Sequence, residues 1–296
     1  MYRAHFGLRD APFGITPDTG FFFTSPHAQQ ALNTLLVAAN SGEGFIKITG
    51  EVGTGKTLLC RKFMNSLGDD FVTAYISNPY LEPRTLMLAL ADELGIVLEQ
   101  DVDQHRLLKS ITRRLLELAV RGKRVLLCLD EAQAIPPESL EALRLLTNLE
   151  TEKRKLLQIV LFGQPELDRH LERASLRQLA QRITFRYHLG PLTRDELDYY
   201  MAHRLRVAGH AGARLFSRGA LARLYSASGG IPRLVNILAH KALMLSYGEG
   251  RQQVSRRHVA LAARDTLPAR PVWRRPWPWL GGVGVAACAL AWALTK

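Results

Sequence analysis

Gly50-Glu-Val-Gly-Thr-Gly-Lys-Thr57 is the stretch on which the reading of this chain turns. It matches GxxxxGK[ST], a loop whose glycines let the backbone wrap a phosphate chain. Successive N–H groups then point at the anion, and the helix that follows presents its positive end to it. The flanks suit the motif. Phe45–Thr49 is short, apolar and β-prone, and a helix is predicted from Lys56 to Leu67. On this reading Gly50, Glu51, Val52, Gly53, Thr54, Gly55, Lys56, Thr57 and Leu58 surround bound phosphates. Lys56 reaches the β- and γ-phosphates, and Thr57 ligates Mg2+.

A second motif lies 74 residues beyond Lys56, where the apolar run Val125-Leu-Leu-Cys-Leu ends in Asp130-Glu131. An acidic pair at the end of a buried strand fits the other half of such a site. Asp130 is expected to hold Mg2+ through its water shell, and Glu131 to polarise the water that attacks the γ-phosphate. A kinase of small molecules needs no such Glu, and the NKxD string of a guanine-reading loop does not occur. ATP hydrolysis is therefore the expected chemistry, with ATP and Mg2+ as ligands. Gln164 closes a predicted strand over Leu156–Gly163 and is a candidate to orient the attacking water. Arg182 ends a predicted helix, from which it could reach a neighbouring subunit's γ-phosphate, with Arg177 and Arg186 as alternatives. Arg233 opens a later helix behind Pro232, a residue suited to a first turn, and could swing onto the phosphates.

Outward from these motifs, strands alternate with helices. Strands are predicted at Phe45–Thr49, Phe71–Ser77, Arg124–Asp130, Leu156–Gly163 and Ile183–Leu189, and one helix is predicted over Leu167–Gln181. The expected fold is α/β: a parallel five-stranded sheet with helices on both faces. After Gly190-Pro191 no further strand is predicted, and Thr193-Arg-Asp-Glu196 reads as a capping box opening an all-helical lid. The organisation reads as an α/β nucleotide-binding domain over 1–190, a helical lid over 191–266, a Pro/Arg-rich linker over 267–276 and a hydrophobic segment over 277–295.

The 296 residues are 47% hydrophobic and 22% charged, which excludes disorder as a global description. The net charge of +12 is uneven. Residues 1–200 hold 24 basic and 25 acidic side chains, against 15 and 2 in residues 201–296. The excess suits an anionic neighbour for the last third. Arg204, Arg206, Arg214, Arg218 and Arg223 read as lid charges that could face an anionic leaflet or an acidic partner. Cys60, Cys128 and Cys288 form no CxxC pair, so neither a zinc site nor a disulfide framework is expected.

No charge falls between Trp277 and Thr295, and those 19 residues would make a helix of ~28 Å, close to a hydrocarbon core. Arg270, Arg274 and Arg275 precede it, so the expectation is a single-pass C-terminal anchor in the inner membrane with the ATPase domain in the cytoplasm, the alternative being a buried or fraying C-terminal helix.

The set of motifs resembles an AAA+ ATPase, and more narrowly the general secretion pathway A (ExeA-type) ATPases. Phe6-Gly-Leu-Arg-Asp-Ala-Pro-Phe13, TGEVGTGKT, LDEAQ, LEALRLLTNLE, LFGQPEL, LRQLAQRITFRYHL and GGIPRLVN carry the resemblance, from Phe6 to Asn236. NLETEKRKLLQIVLFGQPELD and GEGFIKITGEVGTGKTLLCRK point to the branch serving mannose-sensitive haemagglutinin (MSHA) type IV pili. The resemblance implies ATP hydrolysis in a homo-oligomeric ring or arc, with pilus or secretion assembly proteins as partners. It also implies Gln164 as sensor 1, Arg182 as finger and Arg233 as sensor 2. Secretion-type relatives continue past the membrane helix into a peptidoglycan-binding domain, whereas only Thr295 and Lys296 follow here, so contact with the cell wall is expected to need a partner. An alternative from another class is a DNA-associated AAA+ regulator that uses the basic lid.

Overall fold

The computed structural model describes residues 2–99, 102–150 and 155–266. Five strands, β1 (Phe45–Thr49), β2 (Phe71–Ile76), β3 (Arg124–Leu129), β4 (Leu157–Gly163) and β5 (Ile183–His188), form one sheet in the order β2-β3-β4-β1-β5. Every neighbouring pair is parallel. Each strand ends within a residue of its sequence reading. A parallel sheet is covered on both faces, so its inner strands are buried and mostly apolar. Here β1 and β4 are buried along their whole length, with Lys47, Thr49 and Gln158 as the polar exceptions, and β3 is buried from Val125 to Leu129.

Side chains alternate between two cores. Helices α1 (Tyr2–His5), α2 (Pro26–Ser41) and α3 (Lys56–Met64) begin the chain's helical series. On one face of the sheet, Leu32 and Leu35 of α2 and Leu59 and Phe63 of α3 pack on Ile46, Ile48, Leu126, Val160 and Phe162. On the other face lie α4 (Pro83–Glu93), α5 (Gln104–Val120) and α6 (Pro137–Leu146). There Leu90, Ile111 and Leu143 pack on Phe45, Leu127, Leu129, Ile159 and Leu161. The ends are capped as their residues suggest. Ser25 Oγ accepts from the Ala28 N–H ahead of α2, and Asp103 accepts from the Arg106 N–H ahead of α5. Cys60 and Cys128 meet on the α3 side of the sheet, where their thiol contact and burial raise the Cys60 pKa well above its ordinary value.

The single helix expected over Leu167–Gln181 is not what forms. The chain makes α7 (Glu166–Leu171), a 3-10 turn at Ala174–Leu176 and α8 (Arg177–Arg182). Leu167, Leu171, Leu176 and Leu179 are all buried in the same core. The step from Leu171 to Leu176 is five residues, which on one continuous helix would turn the second pair away from the first. The bend keeps both pairs on the sheet.

Beyond β5 come α9 (Arg194–Val207), α10 (Arg218–Ser228), α11 (Pro232–Gly248) and α12 (Arg256–Thr266). The capping box opening α9 is complete, with Thr193 and Glu196 bonded to each other's backbone N–H. These helices share a separate core that includes Leu197, Leu224, Val235, Leu238 and Val259. Phe6, Leu8 and Phe13 are buried in that same core. The boundary read at 190 put the first residues with the sheet, but their packing puts them with the helices, because their aromatic and apolar side chains complete the lid core.

Arg204 departs furthest from its sequence reading. It is 6% exposed, its guanidinium donates to the carbonyls of Pro12 at 2.6 Å and Gly14 at 3.1 Å, and it stacks on the Phe21 ring. It therefore fastens the N-terminal strap to the lid rather than facing a partner. Arg214 is held by Asp198 at 2.7 Å. Residues 267–296, with the linker and the hydrophobic segment, lie outside the described residues. Among the described residues no helix is long and apolar enough to cross a membrane.

Arg204→Ala leaves the buried Pro12 carbonyl without its donor and the Gly14 carbonyl with Asn236 alone, a loss of about 2–3 kcal/mol. Urea unfolding of the full chain should show the midpoint fall, while Arg218→Ala, at an exposed position, should barely move it.

Candidate functional site

The strand order brings the C-terminal ends of β1, β4 and β3 side by side. The glycine-rich loop leaves β1, and its Gly50 N–H donates to the carbonyl of Gly163 at the end of β4, 3.1 Å away. The loop turns through Gly53 (φ 83°) and Gly55 (φ 102°) before α3 starts at Lys56. Gly53 has a second reason to be glycine. A Cβ there would sit 2.6 Å from Arg233 Cβ, and the Gly53 carbonyl accepts from the Arg233 N–H at 3.1 Å. The first turn of α11 is thereby seated on the loop.

Lys56 is buried, and its ammonium donates to the carbonyls of Gly50 at 2.7 Å and Glu51 at 3.0 Å. Burial lowers its pKa, against the opposing pull of Glu131 and Asp130. Thr57 Oγ1 donates to Asp130 Oδ2 at 2.6 Å, so the start of α3 and the end of β3 are in direct contact. Burial raises the Asp130 pKa, although the Thr57 hydroxyl and the Glu131 N–H favour the anion. Tyr75 of β2 reaches the same carboxylate at 3.4 Å, and burial with that negative neighbour pushes its pKa up to about 12.

Glu131 has φ 52°, the positive-φ non-glycine among the described residues. A left-handed backbone at a residue other than Gly, Asn or Asp is strained, and such strain concentrates at functional positions. Its Oε2 accepts from Gln164 Nε2 at 3.1 Å and from Gln133 Nε2 at 2.6 Å. Burial tends to raise the Glu131 pKa, but the two amide donors and the Lys56 charge outweigh it and leave the carboxyl below its ordinary value.

Glu131, Lys56, Thr57 and Arg233 all line one cleft between the sheet and the lid. Its remaining wall is the strap from Gly14 to Asp18 with Phe21–Phe23, and Leu189–Leu192, Tyr200 and Asn236 close it. Gln164 is brought to Glu131, while Arg182 is elsewhere. Arg182 donates to Asn148 Oδ1 at 2.5 Å and weakly to the Arg144 carbonyl at 3.4 Å, beside the end of α6. Arg177 and Arg186 line a different pocket with Lys47, Asp168 and Glu172.

Two parts of the site escaped the sequence. Gln133 lies two residues past Glu131, and its signal was only its place within LDEAQ. The strap from Gly14 to Phe23 holds no regular element beyond the 3-10 turn at Thr19–Phe21. Its run of Pro and Phe marked a packed segment, but nothing in it named the lid as the surface it packs on.

The donor set suits Mg2+ and a nucleotide. A hydroxyl and a carboxylate in contact at Thr57 and Asp130 are hard oxygen ligands of the kind Mg2+ takes. The glycine loop presents N–H groups at the head of a helix, next to a buried cation.

Residues 39–171 match the family model described as "AAA domain". The chain is 43% identical over 270 residues to general secretion pathway protein A of Aeromonas hydrophila, a match covering 91% of this chain. It spans 49% of that relative's length. Among solved structures, Cdc6p of Pyrobaculum aerophilum superposes with a TM-score of 0.67 at 21% identity, over 84% of this chain and 71% of the other. The Aeropyrum pernix ORC1 protein in complex with DNA superposes with a TM-score of 0.64 at 20% identity, over 87% and 72%. At such identities the likeness is one of fold.

Gly53→Ala combines a disfavoured φ with a clash against Arg233. Titration with a fluorescent ADP analogue should show affinity at least about tenfold weaker, equivalent to ~1.4 kcal/mol. Gly7→Ala, also at a positive φ (62°) but with open space around it, should leave nucleotide affinity unchanged.

Proposed function

From its kinship with general secretion pathway protein A and its AAA-domain match, we propose that this chain is an ATP hydrolase. The observation that carries the reading is the meeting of Lys56, Thr57, Asp130 and Glu131 beyond the ends of β1 and β3, with Gln164, the residue after β4, touching Glu131.

In this reading the loop N–H groups from Gly50 to Leu58 cradle the phosphates, and the Lys56 ammonium exchanges its contacts with the loop carbonyls for the β- and γ-phosphates. Mg2+, held by Thr57 and Asp130, would supply charge neutralisation at those phosphates. Glu131 accepts a hydrogen bond from the attacking water and orients it in line with the γ-phosphate, and Gln164 fixes the carboxylate from the β4 side. Arg233 sits where the lid rests on the loop, so a change at the phosphates alters the angle of α11. Arg182 lies away from its own cleft, which supports a role at the γ-phosphate of a neighbouring subunit in a ring or arc.

The biological reading is a membrane-anchored ATPase that drives or regulates assembly of an MSHA-like type IV pilus or a related secretion machine, with pilus or secretion assembly proteins as partners. The name of the relative and the motif stretches quoted above support it. The uncharged segment 277–295 behind Arg270, Arg274 and Arg275 supports a single-pass anchor in the inner membrane with the ATPase domain in the cytoplasm. The DNA-associated alternative loses ground where Arg204 is buried in the lid and Arg214 is paired with Asp198.

The purified 296-residue chain is expected to hydrolyse ATP. Lys56→Ala should abolish nucleotide binding. Glu131→Gln should keep binding while turnover falls by about a hundredfold or more. Turnover per subunit should rise with protein concentration and collapse in Arg182→Ala. A rate that stays flat with concentration and ignores Arg182→Ala contradicts the finger acting between subunits. Deleting the protein should remove surface pili, restored by wild type but not by Glu131→Gln. Normal piliation in the deletion removes the pilus assignment and leaves the ATPase reading standing.

A further inference from the structure

Gln133 makes more contacts at the site than its place in the sequence suggests. Its Nε2 donates to Glu131 Oε2 at 2.6 Å, and its Oε1 accepts from the backbone N–H of Gln164 at 2.9 Å. A backbone N–H can only donate, so the amide oxygen must face β4 and the NH2 must face Glu131. Turning the amide over would lose both bonds. The side chain is thus a rigid strut between the end of β4 and the carboxylate, and Gly163 leaves room for it. A Cβ at Gly163 would lie 3.3 Å from Gln133 Oε1 and 2.9 Å from Leu167 Cδ2.

The carboxylate is held asymmetrically. Both amide donors, from Gln133 and Gln164, go to Oε2. Among the described residues nothing donates to Oε1, and Glu131 lines the nucleotide cleft. The backbone of Glu131 is already fixed at a left-handed φ of 52°, with its N–H bonded to Asp130 Oδ1 at 3.0 Å. Main chain and one carboxylate oxygen are therefore both pinned, and the second carboxylate oxygen is left without a donor among the described residues.

We propose that Gln133 is a positioning residue for Glu131, clamping one carboxylate oxygen so that the other is presented to the water that attacks the γ-phosphate. The inference rests on the ATPase reading above. Gln133 touches neither phosphate nor water in this scheme and acts through Glu131. Holding a water-orienting group in one rotamer acts on the barrier to reaction and not on the affinity for nucleotide. Removing the strut should lower kcat and spare KM.

The test compares full-length wild type, Gln133→Ala, Gln133→Met, Glu131→Gln and the double variant Gln133→Ala/Glu131→Gln. Steady-state ATP turnover is read beside binding of a fluorescent ADP analogue and thermal melting. Gln133→Ala should lower kcat by about tenfold or more, with KM and nucleotide affinity within about twofold of wild type. Gln133→Met restores the volume without the amide and should be as slow, which separates the hydrogen bonds from simple packing. In the Glu131→Gln background, Gln133→Ala should change the residual single-turnover rate by less than about twofold, because the group it positions is already gone. Wild-type kcat in both Gln133 variants overturns the proposal. So does a loss confined to KM, or an equal fold-loss with and without Glu131. A wild-type protein that turns over no ATP overturns the ATPase reading itself, and the clamp's catalytic role falls with it.

Discussion

Everything at the site depends on β4 lying between β1 and β3. The two motifs that carry charge, the loop after β1 and the acidic pair after β3, are not on neighbouring strands. Their residues still touch, through the Thr57–Asp130 hydrogen bond, because the loop and the start of α3 arch over the end of the intervening strand. That end is therefore forced into the middle of the site. Gly163 takes the Gly50 N–H, Gln164 takes Glu131, and the Gln164 backbone holds Gln133. The parallel sheet, buried on both faces, makes this geometry stiff. A shift of β4 by one residue would turn its buried apolar side chains to the wrong cores and carry Gln164 away from Glu131.

The second constraint is the seat of the lid. Arg233 and Gly53 share a backbone bond and a space that only glycine leaves open. Nearby, the Gly230 φ of 77° lets the turn before α11 close on the Leu192 carbonyl, which a Cβ would approach to 2.1 Å. The N-terminal strap ties the same parts from outside. Arg204 and Asn236 of the lid hold the Gly14 carbonyl, and Arg61 of α3 holds that of Pro17. Loop, lid and strap thus form one cleft, and a ligand filling it touches all three.

Much of this was legible in the sequence, for identifiable reasons. The strands were readable because a covered parallel sheet favours short, mostly apolar β-prone runs, broken only by single residues such as Lys47 and Gln158, and the loop because its glycines and lysine fall at the spacing a phosphate cradle needs. The break between α7 and α8 was harder, since Leu167 to Leu179 looks helical until the step from Leu171 to Leu176 is set against the face it must cover. Gln133 was silent because a glutamine two residues past a carboxylate is ordinary until β4 is placed beside it. The lid charge misled most. Arg204 looks like surface charge in the sequence, yet it is a buried clasp, because carbonyls 190 or more residues away need its donors. Long-range pairing of that kind leaves no local pattern.

Lys56 is pinned to loop carbonyls that, on the proposed reading, it gives up for phosphates, while Glu131 keeps one oxygen clamped. A crystal structure of the full chain with Mg2+ and a non-hydrolysable ATP analogue tests this most directly. The expected result has Lys56 Nζ moved from the Gly50 and Glu51 carbonyls to the β- and γ-phosphate oxygens, Thr57 and Asp130 around the metal, and Gln133 and Gln164 still on Glu131 Oε2. A nucleotide bound outside the cleft, or one within it that leaves Lys56 on its carbonyls, contradicts the account.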